Sequence, residues 1–458
     1  MNRKDAKTQR TAKTRDSISS DSLDPQPNVL LRAVTDAGVF ALLLFLLTIV
    51  PYANGSERFH MALPLAWVAD WALWRRAELG ATGKLLWRAP LLGALCIWGF
   101  VSFFTERFAG PARWPELLWY LLFGSSLLVV GLLLHLAIRV VVGGLERACH
   151  KLNCKQVRFW RALRAMVLLV VFLPYLYVAI SVHRIKVWET TNPLLRYGYR
   201  YQAVTFPACD DDLPLRGWFI PAGNSHATII VCHGINANMS DFVVAAPFLH
   251  DAGYNVFLFD FRGHGDSPGH TTTFGYHEAR DVRGAVRYLR DRPDCRRLGV
   301  LGYSMGGSAA LHAIAQTPEV RAVVVDSTFS NLQDLVASHL QFLPEAPRRF
   351  VLATLATATW LEVGIMPDNI APVRHVAEVA PRPLLIIHGL KDGLVSPDEA
   401  RALFAAAHQP KQLWLVPLAG HDKAGFVAER EYHRRVLGLF RAIMEPQRRK
   451  GAKNDKGK

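Results

Sequence analysis

Three residues, each just past a strand-like run, have the types and the order needed for covalent catalysis. Gly302-Tyr303-Ser304-Met305-Gly306 follows an apolar run and opens an Ala-rich helical stretch. A serine on so sharp a turn stands above the sheet edge at a helix N-terminus, where backbone N–H groups favour developing negative charge. Gly302 and Gly306 serve the turn because a Cβ on either flank would clash. Serine is a poor nucleophile without a base. Downstream, Leu384–His388 leads into Gly389-Leu390-Lys391-Asp392, and Leu413–Val416 leads into Leu418-Ala419-Gly420-His421. Serine, acid, histidine is a triad order. In that reading Ser304 attacks a carbonyl, and His421 takes the proton and later delivers it. Asp392 orients the imidazole and stabilises its charged form. Asp326, which ends the run VVVD, is the alternative acid. His388 reads as a packed strand-end residue, and Asp422 as facing away from the base.

The oxyanion formed in such chemistry needs two preorganised donors. One is the backbone N–H of Met305. The other is assigned to the Ile235 N–H, in the loop His233-Gly234-Ile235-Asn236 that follows the run Ala227–Cys232. Gly234 lets the backbone approach closely. His233 reads as a residue that holds the loop rather than as a second base.

The elements that must position these groups follow from residue 199 onward. Tyr199–Phe206 and Pro214–Ile220 flank an Asp-rich turn, a hairpin signal. Short, near-continuous apolar runs of the kind buried parallel strands show come next: Ala227–Cys232, Val256–Asp260, Leu298–Gly302, Ala322–Asp326, Leu384–His388 and Leu413–Val416. Helical stretches such as His277–Arg290 and Met305–Gln316 separate them. This alternation predicts a mostly parallel, doubly wound α/β sheet over residues 195–445. The longest interruption, Thr328–Arg382, carries an apolar patch, Phe350–Ile365. It reads as a helical cap over about 328–382.

HGIN, DFRGHGDSPG (260–269), GYSMGG (302–307), HGLKDG (388–393) and AGH (419–421) resemble the α/β-hydrolase superfamily, nearest its serine aminopeptidase-like and prolyl-oligopeptidase-like branch. The resemblance spans about Tyr199 to Met444. It implies the α/β-hydrolase fold and the triad Ser304, Asp392 and His421. In the hallmark segment, Arg262 and Asp266 read as structural partners. The membrane-like first half departs from the soluble members.

That first half, residues 33–183, is dominated by apolar runs: Ala33–Ala53, Ala89–Phe104, Leu117–Ile138 and Ala165–Val182, with a shorter one at Phe59–Trp74. Each of the four longer runs is near the ~20 residues that cross a bilayer. Together they predict an all-α transmembrane domain of four to five spans. The first run starts late for a cleavable signal peptide. Residues 1–32 read as a basic flexible tail and 446–458 as a basic disordered one. Basic residues favour the cytoplasmic side. Residues 1–32 carry +3, 75–88 carry +3 and 139–164 carry +6, whereas 54–60 and 105–116 are neutral. Five spans place all three basic segments inside and the catalytic domain outside. Four spans leave the +6 segment outside and the catalytic domain in the cytoplasm. Asp36, Asp70 and His135 lie in or near the apolar runs and raise a transport role as a minor reading.

Composition narrows the rest. The 458 residues are 51% hydrophobic, which rules out global disorder, and six Cys rule out a disulfide-dense scaffold. The net charge of +15 resides outside residues 195–440, which sum to −1. A nucleic-acid partner would need a basic stripe on the folded domain, so none is expected. No HExxH, CxxC or phosphate loop occurs, and no metal or cofactor is expected. Cys209 and Cys295 are the pair to weigh for a disulfide, but the expected sheet puts them at opposite ends. The chain therefore reads as a serine hydrolase held in a bacterial-type cytoplasmic membrane. Its partners are the lipid bilayer and a small-molecule or lipid-like acyl substrate, with an ester, thioester or amide to cleave. A peptidase, or a membrane sensor whose hydrolase domain is an interaction module, is the alternative. No oligomeric state is assigned.

Overall fold

Eight strands form one sheet in the order β1-β2-β4-β3-β5-β6-β7-β8. A computed structural model of the chain describes residues 119–131 except 121, positions 134, 137, 140 and 144, and residues 157–444 except 184, 185 and 190. The strands are β1 (Gln202–Pro207), β2 (Pro214–Ile220), β3 (Ala227–Cys232), β4 (Asn255–Phe259), β5 (Arg297–Tyr303), β6 (Val320–Asp326), β7 (Leu384–Gly389) and β8 (Lys411–Val416). The β1–β2 and β2–β4 pairs are antiparallel and all others are parallel. Every position of β3, β4 and β7 is buried. Helices cover both faces of the sheet, so these strands need apolar side chains on both sides, which is why they appear as continuous runs.

Two apolar layers sandwich the sheet. One packs helices Glu278–Arg290, Met305–Ala313 and Pro397–Ala406 on one face. The other packs helices Ala246–Asp251 and Glu429–Met444 on the opposite face. Expected and observed strands agree within about three residues. The stretch expected as helix Met305–Gln316 ends its α-helical part at Ala313 and closes with a 3₁₀ turn, Ile314–Gln316. Cys209, Cys232 and Cys295 are free thiols.

Between β6 and β7 the chain leaves the sheet. Helix Leu332–His339 starts at Asn331, whose side chain accepts from the N–H groups of Gln333 and Asp334. That cap satisfies donors a helix start otherwise leaves open. Helix Glu345–Val363 contains most of the apolar patch and ends at Gly364, which holds φ 72°. Three short 3₁₀ turns return the chain to β7.

The runs Ala33–Ala53, Phe59–Trp74 and Ala89–Phe104 lie outside the described residues, as do both tails, Asp36, Asp70 and His135. Residues 122–131 are helical, and Trp119, Tyr120, Phe123 and Leu127 bury against Ala179. The run Ala165–Val182 forms most of helix Val157–Val182. The last turns of this helix are packing surface: Val178 and Val182 bury against Ala358 of helix Glu345–Val363. Among the described residues, no helix is long and apolar enough to cross a membrane.

Candidate active site

Ser304 sits between β5 and the helix Met305–Ala313 with φ 49° and ψ −115°. That is a strained backbone for a residue with a Cβ. The turn is held by the Ser304 N–H donating to Asp326 O at 2.8 Å and by Thr328 Oγ1–H donating to Ser304 O at 3.2 Å. A Cβ on Gly306 would come within 2.3 Å of Cys232 O, and one on Gly302 within 2.7 Å of Gly307. Both glycines are therefore steric requirements of the helix crossing over β3 and β5.

The loops after β7 and β8 bring the other two groups to Ser304. Ser304 Oγ–H donates to His421 Nε2 at 3.0 Å, and His421 Nδ1–H donates to Asp392 Oδ2 at 2.7 Å. The other oxygen of Asp392 accepts from the N–H groups of Leu394 and Val395, each at 2.9 Å. His388 is fully buried behind Asp392. Its Nε2 donates to Val395 O at 2.9 Å and lies 3.4 Å from Asp392 Oδ2. Burial alone would raise the Asp392 carboxyl. Hydrogen bonds from His388, His421 and the Val395 N–H outweigh it and hold the group well below the usual carboxylate range. Burial alone would lower His421. The bond to Asp392 and the charges of Asp422, Asp392 and Asp326 reverse that and raise it above its usual value. A base raised in this way binds a proton more tightly in the intermediate state, when it must hold one.

Asp326 does not reach the histidine as a hydrogen-bond partner. Its Oδ1 accepts from Ser327 Oγ–H at 3.1 Å, and burial pushes its carboxyl up to about 7. Asp422 is a correction. It was expected to face away, yet its Oδ2 lies 3.6 Å from His421 Nε2, on the side that meets Ser304. Asp422 holds φ 53°, and its N–H donates to Ser327 Oγ at 3.1 Å. That turn brings the carboxyl back toward the base. Burial pushes it up to about 6. Its position next to His421 in the chain was the only available signal, and local spacing does not reveal a left-handed turn.

The loop after β3 passes beside the serine. His233 Nδ1–H donates to Gly234 O at 2.8 Å, and its Nε2 accepts from the Phe261 N–H at 3.2 Å. Burial drives it down to about 3, so it is neutral and holds the loop. Ile235 O accepts from His264 Nε2 at 2.8 Å, which fixes the peptide next to the expected donor. A Cβ on Gly234 would sit 3.6 Å from Ser304 Cβ and 3.5 Å from Asp422 Oδ2, both ordinary contacts. What glycine contributes here is free space above the serine. Arg262 pairs with Asp281 at 2.6 Å and with Asp211 at 2.7 Å, and the Asp266 N–H donates to Asp260 Oδ2 at 2.9 Å. Arg262 thus sits in an ion-pair network with Asp281 and Asp211, and Asp266 is tied to Asp260 through its backbone. Among the described residues no group of three His, Cys, Asp or Glu is arranged to hold a metal ion.

With this fold and this site, the chain belongs to the α/β-hydrolase superfamily: residues 227–359 match the alpha/beta hydrolase fold family. It is 32% identical over 261 residues to the uncharacterized protein YfhR of Salmonella typhi, covering 53% of this chain and 80% of that protein. It is 25% identical over 228 residues to the uncharacterized membrane protein YNL320W of Saccharomyces cerevisiae, covering 49% of this chain and 75% of that one. Among solved structures it is similar to the Pyrococcus furiosus esterase Pf2001, at 27% identity and a TM-score of 0.48. That match covers 58% of this chain and 98% of the other.

Proposed function

We propose that this protein is a membrane-anchored serine hydrolase that cleaves an ester, thioester or amide of a hydrophobic or lipid-linked acyl group. The observation that carries the reading is the unbroken relay from Ser304 Oγ through His421 to Asp392, at 3.0 and 2.7 Å. In the first half-reaction Ser304 Oγ bonds to the carbonyl carbon while its proton passes to His421 Nε2. The carbonyl oxygen becomes an oxyanion, received by the backbone N–H groups of Ile235 and Met305. Collapse breaks the bond to the leaving group, which takes the proton from Nε2, and an acyl-serine ester remains. A water molecule then repeats the sequence, with its proton going to His421 and Ser304 as the leaving group.

A fluorophosphonate probe tests the nucleophile. It is expected to label the wild-type protein and to leave Ser304→Ala unlabelled. A folded wild-type protein that takes no label overturns the reading. A panel of acyl esters of rising chain length against aminoacyl amides then separates esterase from peptidase.

The membrane part of the reading rests on the apolar runs of residues 33–183, their basic flanks, and the membrane designation of the yeast relative. Five spans put the catalytic domain on the outer side. A reporter active only outside the cytoplasm, fused after Lys458, is expected to be active. An inactive external reporter with an active cytoplasmic one gives the four-span arrangement.

A further inference from the structure

The cap helix Glu345–Val363 has a surface that its own fold does not account for. Its buried side, Ala358, Thr359 and Glu362, faces inward. Val178 and Val182 of helix Val157–Val182 pack there against Ala358, and His183 Nε2 lies 2.9 Å from Glu362 Oε2. In its first turns Glu345, Ala346, Pro347 and Arg349 are exposed, and from there on the exposed positions are Phe350, Ala353, Thr357, Trp360, Leu361 and the C-cap Gly364. These recur at helical spacing and form one stripe along four turns. Phe350 is 54% exposed, Trp360 53% and Leu361 60%. From Phe350 to Gly364 the only charged residue is Glu362, and it is buried. A water-facing helix ordinarily carries charge on its open side.

The partner helix repeats the pattern. Leu173, Tyr177 and Ile180 are exposed at helical spacing, 49%, 63% and 55%, opposite its buried Val178, Ala179 and Val182. Residues 165–182 contain no charge. Two packed helices thus each present an uncharged apolar stripe. The described chain enters at Trp119, packed on this same helix. The sequence just before that point carries the apolar runs Ala33–Ala53 and Ala89–Phe104. Arg348 and Arg349 stand at the N-terminal end of the cap stripe, Arg349 in an exposed ion pair with Glu345, and long basic side chains at such a place reach lipid phosphates.

We propose that the cap helix Glu345–Val363 lies in the lipid interface, beside Leu173, Tyr177 and Ile180 near the end of helix Val157–Val182 from which the chain leaves the bilayer, and holds the hydrolase domain against the membrane. The occupant of the face is the bilayer surface in which the chain is anchored. Phe350, Trp360 and Leu361 enter the acyl region, as the apolar side of an interfacial helix does. This rests on the membrane-anchored reading and deepens it: the substrate reaches the site from the membrane through the cap, as an acyl chain resident in the bilayer.

The test places a genetically encoded dansyl amino acid at Thr357, within the stripe, or at Asp398, on the exposed start of a helix of the catalytic domain, in full-length protein reconstituted into phosphatidylcholine vesicles. In vesicles of bromine-substituted lipid the probe at 357 is expected to lose about half its emission or more, and the probe at 398 almost none. Emission at 357 that brominated lipid leaves unchanged overturns the proposal, including the case in which another protein covers the stripe. The reading uses no catalysis and is repeated on Ser304→Ala, so its failure is distinct from failure of the serine-hydrolase reading. In a second arm, Phe350→Asp and Leu361→Asp are expected to slow turnover of a bilayer-embedded long-chain ester about tenfold, while a water-soluble short-chain ester stays within about twofold. Equal loss on both substrates, or no loss on the embedded one, overturns it.

Discussion

At the residue scale the site is organised around one histidine with carboxylates on both sides. Asp392 bonds Nδ1, and Asp422 approaches Nε2 to 3.6 Å. The two make different predictions. Asp392→Asn exchanges a carboxylate oxygen for an N–H donor, so the group no longer fixes the His421 tautomer or stabilises its charged form. It is expected to lower kcat by about three to four orders of magnitude, with labelling of Ser304 slowed in step. Asp422→Asn leaves the relay intact and removes an anion that favours the charged imidazole. The sign follows directly: losing a nearby negative charge lowers the His421 pKa. The acid limb of kcat/KM, where activity falls as His421 becomes protonated, therefore moves to lower pH, by about half to one unit. A pH–rate profile of the variant checks it, and a limb unmoved or moved upward contradicts it.

At the element scale the elbow and the cap contact are the parts most sensitive to change. The helix after Ser304 crosses β3 so closely that a Cβ on Gly306 would meet Cys232 O at 2.3 Å. Backbone cannot retreat as a side-chain tip can. Gly306→Ala is expected to cost about 1–3 kcal/mol, seen as a lower urea midpoint. The cap is tied to the helix before it by Glu362, whose Oε2 meets His183 Nε2 at 2.9 Å with both groups buried. Glu362→Ala leaves that nitrogen without its acceptor. It is expected to cost about 1–3 kcal/mol and to speed limited proteolysis within residues 340–364 before the rest of the domain is cut.

At the scale of the whole molecule the segment before the sheet is part of the domain's structure. The Lys186 N–H donates to Tyr120 Oη at 2.8 Å, and Lys186 Nζ donates to Ser267 O at 2.9 Å. The Thr272 N–H donates to Val182 O at 3.0 Å, and Trp119 stacks on His270 at 4.2 Å. The last three of these contacts join Lys186, Val182 and Trp119 to the loop 264–273 beside the site. A fragment beginning at Tyr199 loses all of them along with the His183–Glu362 contact. It is expected to unfold at lower urea than the full chain in detergent and to be clipped first in that loop or in the cap. Equal midpoints and equal cleavage patterns for fragment and full chain would show the segment to be a passive leader. The charge fits this division: the net +15 of the chain belongs to the parts outside residues 195–440.

The sequence by itself determined the sheet and the chain order of the candidate triad. Parallel strands buried on both faces must be apolar throughout, so β3 to β7 were legible as runs. The serine, acid and histidine stand at strand ends, where chain order and local context mark them. Gly302 and Gly306 were legible too, because a sharp strand-to-helix turn admits little else. Tertiary structure decided what depends on the direction of a turn or on contacts between distant segments. Asp422 comes back to the base because its backbone takes φ 53°, a choice that residue type only weakly biases. Gly234 leaves open space above Ser304, which only the neighbouring loops define. The apolar run Ala165–Val182 has the length and hydropathy of a span. Its C-terminal turns pack on a cap helix some 180 residues later in the chain. Hydropathy reports how much apolar surface a helix has, and only the packed chain decides which neighbour covers it.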